Sequence, residues 1–84
     1  MKYRLLLDLE VYDFLAALKR AERALLRKRF DEMLASPSQW AEFAERDATG
    51  RRLGVTICGR FAITFWDDFA DRHIKILRIV LADR

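Results

Sequence analysis

Apolar and polar positions change their period twice along this chain. Between Lys2 and Leu7, Tyr3, Leu5 and Leu7 alternate with Lys2, Arg4 and Leu6, which predicts a strand with one apolar face. Asp8 then stands where a helix N-cap would. Val11, Phe14, Leu15 and Leu18 fall at i, i+3, i+4 and i+7, the spacing of a one-sided helix ending near Lys19 or Arg20. A second helix is expected over roughly Glu22 to Ala35, with Leu26, Phe30, Met33 and Leu34 as its apolar stripe and Arg27, Lys28, Asp31 and Glu32 opposite. Ser36-Pro37-Ser38 stops it, because proline disfavours the helical conformation in the residue before it. The short link between the two makes an antiparallel helix hairpin.

After the proline the period shortens to two. Gln39 to Arg46 reads as either a strand or a helical turn, and Asp47-Ala48-Thr49-Gly50 as a turn. From Arg51 to Ile57, Leu53, Val55 and Ile57 face one way and Arg52, Gly54 and Thr56 the other. Cys58-Gly59 reverses the chain. Phe61, Ile63 and Phe65 then oppose Arg60, Ala62, Thr64 and Trp66. A polar turn is expected at Asp67 to Asp71. A last strand, Arg72 to Val80, sets Ile74 and Ile76 against His73, Lys75, Leu77 and Ile79. The fold class is α+β: an N-terminal strand, a helix hairpin, then a mostly antiparallel C-terminal sheet of three to four strands. Helices can cover one face of such a sheet and leave the other partly open.

The chain has 84 residues, of which 52% are hydrophobic and 35% charged. That size makes residues 1–84 a single domain of limited core, and that balance rules out intrinsic disorder. The net charge is +3. Met1 to Thr49 holds nine bases and nine acids, so the excess lies beyond Gly50, where seven bases meet four acids. A local basic excess favours phosphate-rich partners. One cysteine, Cys58, excludes an internal disulfide and suits a reducing, cytoplasmic setting. Leu5 to Leu7 is too short for the core of a signal peptide, and no apolar run has the length of a membrane span, so no membrane association is expected.

Three groups of residues carry a resemblance to a known family. They are the opening strand Tyr3-Arg4-Leu5-Leu6-Leu7, the helix pair ending at Ser36-Pro37, and Gly59-Arg60-Phe61-Ala62-Ile63-Thr64-Phe65 followed by Ile74-Lys75-Ile76-Leu77-Arg78-Ile79 and Arg84. Together they resemble the RelE/ParE superfamily of toxins from bacterial toxin–antitoxin pairs. The likeness covers nearly the whole chain and rests more on the order of elements than on any one motif.

The resemblance implies one of two activities. RelE-like members are metal-free, ribosome-dependent mRNA endonucleases, whereas ParE-like members poison DNA gyrase. Both imply an antitoxin partner and no cofactor; a homodimer is a further option. Metal-free RNA cleavage needs a base for the ribose 2′-hydroxyl, cations for the phosphorane and an acid for the leaving oxygen. On this resemblance Arg52, Arg60 and Arg84 are the catalytic candidates: Arg52 and Arg60 offset transition-state charge, and Arg84 positions phosphate or donates the leaving-group proton. Arg51, Lys75, Arg78 and His73 are the RNA-binding candidates. Direct register puts the family's sheet arginine at Ala62, so Arg60 replaces it only if the turn shifts. The family's C-terminal tyrosine has no counterpart after Arg84. The alternative is a non-catalytic interaction module, either a gyrase poison or an inactive homologue that binds an antitoxin.

Each candidate also has a plainer reading. Arg51 and Arg52 serve equally as strand-edge charges that block unwanted pairing. His73, the only histidine, belongs to a residue type suited to proton transfer, and also to ordinary polar strand starts. Arg78 must reach solvent or meet an acid. Trp40 and Trp66 can stack on bases or cap the core. Asp67, Asp68 and Asp71 read as a turn and not as a metal site, and Cys58 as a small apolar filler. The arginines from Arg20 to Arg29 read as a solvated helix face.

Overall fold

A computed structural model describes residues 2–82; the Arg84 candidate lies outside them. The elements run β1 (Arg4–Leu7), α1 (Leu9–Ala16), α2 (Arg20–Ala35), a 3₁₀ turn (Pro37–Gln39), β2 (Phe43–Arg46), β3 (Arg52–Cys58), β4 (Phe61–Asp68) and β5 (His73–Leu81). The ambiguous stretch before Asp47 thus holds both a turn and a strand. The strands form a single five-stranded sheet in the order β1-β5-β4-β3-β2. The last four pair antiparallel as expected, and β1 joins β5 in parallel. A parallel partner needs a crossover, which the two helices supply.

Both helices pack on one sheet face. Val11 of α1 and Leu26, Phe30 and Met33 of α2 are buried against Phe61, Ile63, Phe65, Ile74, Ile76 and Ile79. Asp8 has the extended backbone of an N-cap but makes no side-chain cap bond; its carboxylate instead lies 3.3 Å from the Lys75 ammonium. No helix among the described residues is long and apolar enough to cross a membrane.

Two features of the sheet depart from simple alternation. The register between β4 and β5 shifts at Thr64/Phe65: Thr64 pairs with Arg78 and Phe65 with Ile76, so Leu77 is an extra residue. The bulge moves Ile79 onto the helix-covered face with Ile74 and Ile76, where an unbroken strand would place it opposite them. It also points Arg78 outward beside Thr64, whose hydroxyl accepts a 3.2 Å bond from Arg78 Nη2. In addition, β4 runs on through Asp68, so Asp67 and Asp68 are strand residues and the turn narrows to residues 69–72. Arg72 takes a left-handed conformation there, with φ 54°.

On β3 the helix-covered face is Gly54, Thr56 and Cys58, which stand opposite Phe65, Ile63 and Phe61. Arg52, which alternates with Gly54 and Thr56, therefore shares the helix-covered side of the sheet and not the open one. The reason is a polar clamp that periodicity does not report. Arg29 of α2 donates to Thr56 Oγ1 at 3.1 Å and to the Ile57 carbonyl at 2.8 Å, while Glu42 accepts from the Thr56 hydroxyl and the Ile57 amide. Arg29 also pairs with Glu32 at 3.2 Å and lies over the Trp40 ring at 4.6 Å. It is therefore half-buried and committed, not a solvated helix-face charge.

Gly54 lets the Phe65 ring close over β3. A Cβ there would sit 2.7 Å from Phe65 Cζ and 3.0 Å from the Ala41 Cβ. Overpacking a closed core typically costs about 1–3 kcal/mol. Gly54→Ala is expected to lower unfolding free energy by roughly that amount in urea denaturation, with an unchanged m-value.

Candidate functional site

The uncovered sheet face collects three of the sequence candidates, His73, Lys75 and Arg78. By register, Arg4 and Leu6 of β1 stand beside His73 and Lys75 of β5, Lys75 beside Trp66 of β4, and Arg78 beside Thr64. On β2 and β3 the same face carries Phe43, Glu45, Leu53, Val55 and Ile57.

Most of these cations already have an acidic neighbour. Lys75 faces Asp8 at 3.3 Å. Arg78 meets Glu45 at 3.1 Å across the sheet, as its position in a strand required. His73 is buried, with Nε2 at 3.5 Å from Asp68 Oδ2 and its ring edge-on to Trp66. It is thus a packed residue and not the solvated strand start that the sequence suggested. Asp68, Asp71 and His73 bring donor atoms within 4.8 Å of one another, so His73 is a companion that the acidic run lacked in sequence. Asp68 Oδ1 already accepts the Asp71 amide.

Arg51 and Arg52 share a cleft at one end of the sheet. Its volume is about 430 Å³, and Pro37, Ser38, Gly54 and Trp66 complete its walls. Asp47 builds the loop leading into it: one carboxylate oxygen accepts from Thr49 and from the Arg51 amide, and the other lies 2.9 Å from the Arg51 guanidinium. The Thr49 hydroxyl bond, the two amide bonds and the Arg51 charge outweigh desolvation and hold the Asp47 carboxyl below its usual range. Gly50, at φ 85°, closes this turn. So anchored, Arg51 lies over the Trp66 ring at 4.0 Å. Arg46 stands directly across from Arg52 on β2. Like charges in that relation repel, and an anion between them would relieve the repulsion.

Arg60 is elsewhere. It sits in the β3–β4 turn, where Gly59 has φ 60°. Its guanidinium donates to Glu22 of α2 at 2.6 Å and lies over the Phe61 ring. That bond to Arg60 is the main reason the Glu22 carboxyl falls below its usual range. The expected shared face for Arg60, Ala62 and Thr64 is therefore not formed, because Arg60 precedes the strand and α2 offers it a carboxylate. Cys58 is buried, and burial pushes its thiol up, which suits a filler and not a nucleophile.

No protein-family model matches the sequence, and no curated protein is similar to it. The fold, however, has a close counterpart among solved structures. The chain superposes on a chain of the archaeal RelE–RelB complex from Pyrococcus horikoshii OT3 with a TM-score of 0.82 and 20% identity, covering 100% of this chain and 99% of that one. The two chains thus share one fold over their whole length.

Asp67, a half-buried acid beside the cleft, is left partly unsatisfied, since its Oδ1 is buried without a hydrogen-bond partner. Burial raises its carboxyl above the usual range, the Tyr3 hydroxyl offsets part of this, and Asp68 adds to the rise. A raised folded-state pKa contributes stability that is present below the unfolded value and lost as pH rises through the folded one. Asp67→Asn is therefore expected to be more stable than the parent near neutral pH, with the difference closing as pH falls toward about 4. Denaturation midpoints measured across that window check the sign.

Proposed function

We propose that this chain is the toxin component of a toxin–antitoxin pair, and that the Trp66 cleft receives RNA. The observation that carries the reading is the fold likeness to a chain of a RelE–RelB complex over the whole length. A corresponding antitoxin would be the partner of this chain. The cleft's chemistry supports an RNA ligand. The Arg51 guanidinium and the Trp66 ring, 4.0 Å apart, offer surfaces against which a base can stack. Arg52 and Arg46 form a like-charged pair that a phosphate would bridge. Lys75 and Arg78, on the uncovered face with Trp66, would serve as contacts for the strand's backbone, while Arg46 and Arg52 belong to the other face.

In a metal-free cleavage, Arg52 would offset charge on the phosphorane, and Arg84 would position phosphate or donate the proton to the leaving oxygen. We assign Arg60 to holding the β3–β4 turn on α2, because Glu22 already engages it. The ribosome is the setting in which an mRNA would be presented to so small a face.

One observation favours a second reading, a non-catalytic module that poisons gyrase or only binds an antitoxin. Lys75, Arg78, Arg51 and Arg60 each already meet a carboxylate, leaving less cationic charge for a transition state.

Induced expression with primer-extension mapping decides between them. Codon-spaced cuts in ribosome-bound mRNA are expected, together with growth arrest. The Arg51→Ala/Arg52→Ala variant should cut at least about tenfold less, since each lost charged contact costs roughly 1.5–3 kcal/mol. DNA-damage signalling without cuts would replace the nuclease by a gyrase poison. Growth without arrest, and without capture of an acidic partner encoded beside it, would sink both.

A further inference from the structure

The turn between β4 and β5 holds a group of donor atoms that the cleft does not use. Asp68 ends β4, His73 begins β5, and the two stand directly opposite each other in the register. Asp71 lies between them in the turn. One donor atom from each of the three falls within 4.8 Å of the others. The turn itself is fixed: Arg72 closes it at φ 54°, and the Arg72 carbonyl accepts the Arg4 amide of β1 at 2.9 Å.

His73 sets this group apart from an ordinary acidic turn. Only 9% of its surface is exposed, and its Nδ1 is buried with no hydrogen-bond partner. Its Nε2 faces Asp68 Oδ2 from 3.5 Å, longer than the about 2.7–3.2 Å of an N–H···O bond. A side chain buried so deeply is ordinarily satisfied. The same 3.5 Å is close to the roughly 3.4 Å that separates two ligands of a tetrahedral ion with bonds of about 2.1 Å.

Each donor is also held from behind. The Asp71 amide donates to Asp68 Oδ1 at 3.2 Å, which leaves Oδ2 to face the imidazole. Trp66 stands edge-on to the His73 ring, with centroids 5.8 Å apart, and limits its rotation. Asp71 is exposed, so its carboxylate can close the remaining distance by turning about its own bonds. Arg4, the cation beside His73 on β1, is exposed as well and can extend into solvent.

We propose that Asp68, Asp71 and His73 bind a divalent transition-metal ion of the zinc class, with water completing its coordination. The imidazole nitrogen favours zinc, cobalt or nickel over magnesium and calcium, which prefer oxygen ligands alone. Two carboxylates match the charge of a dication. The ion ties the last residue of β4 to the first of β5, and so acts as a staple in a domain with a small core. The site depends neither on the toxin reading nor on the metal-free chemistry above.

The test uses the tag-free chain, stripped with a chelator and titrated with zinc or, for its visible absorption, with cobalt. One ion per chain is expected. Saturating zinc should raise Tm by at least about 4 °C, and magnesium at the same concentration should leave it unchanged. Asp71→Ala keeps the Asp71 amide bond and should bind zinc at least about tenfold more weakly, with an unchanged circular dichroism spectrum. His73→Gln should abolish the cobalt absorption. Because that variant replaces a buried ring, the His73 imidazole resonances of the parent chain supply a second readout and should shift on adding zinc. Cys58→Ser should bind as the parent does, since the buried thiol is the rival ligand. Zinc without effect on Tm, equal stabilisation by magnesium, parental affinity in Asp71→Ala, unmoved His73 resonances, or loss of binding in Cys58→Ser would each overturn the site.

Discussion

Burial of one stripe of α2 against β4 and β5 is the constraint on which the rest of this structure depends. Leu26, Phe30 and Met33 close over Ile63, Ile74 and Ile76, and all six are nearly inaccessible to water. In so small a domain little other apolar surface is available for burial. Because both helices are spent on that face, the other is left to solvent. The bulge at Leu77 serves the same end: it brings Ile79 into the core and turns Arg78 out.

The polar contacts follow from that packing and do not compete with it. Arg29 reaches from α2 to β3, where the Thr56 hydroxyl and the Ile57 carbonyl would otherwise be buried with fewer partners. Arg60 ties the next turn back to Glu22. Two arginines of the helix and turn thus serve the architecture. The cations left for a ligand are those at the far end of the sheet, around Arg51 and Arg52, and those along α2.

This division bears on function. A metal-free nuclease needs cations converging on one phosphate. In this chain the basic residues separate into a cleft at the sheet end, a paired row on the open face, and an arginine rim above the β1 edge. They lie on different elements and do not converge on one point.

The sequence by itself determined the elements and their order, save at Gln39 to Arg46, which read equally as a strand or a helical turn. Periods of 3.6 and 2 marked the helices and strands, Pro37 marked the end of α2, and the Tyr3, Leu5, Leu7 alternation marked β1, because these signals are local. It also located the basic excess beyond Gly50. Which face each cation would occupy was decided only by tertiary structure. Arg60 and Arg29 found carboxylates and carbonyls distant in sequence, at Glu22 and Ile57. His73 was buried by its neighbours Asp68 and Trp66. The bulge that sets Ile79 and Arg78 on their faces arises from pairing between strands. An alternating pattern distinguishes two faces, but only packing chooses which one the helices will cover.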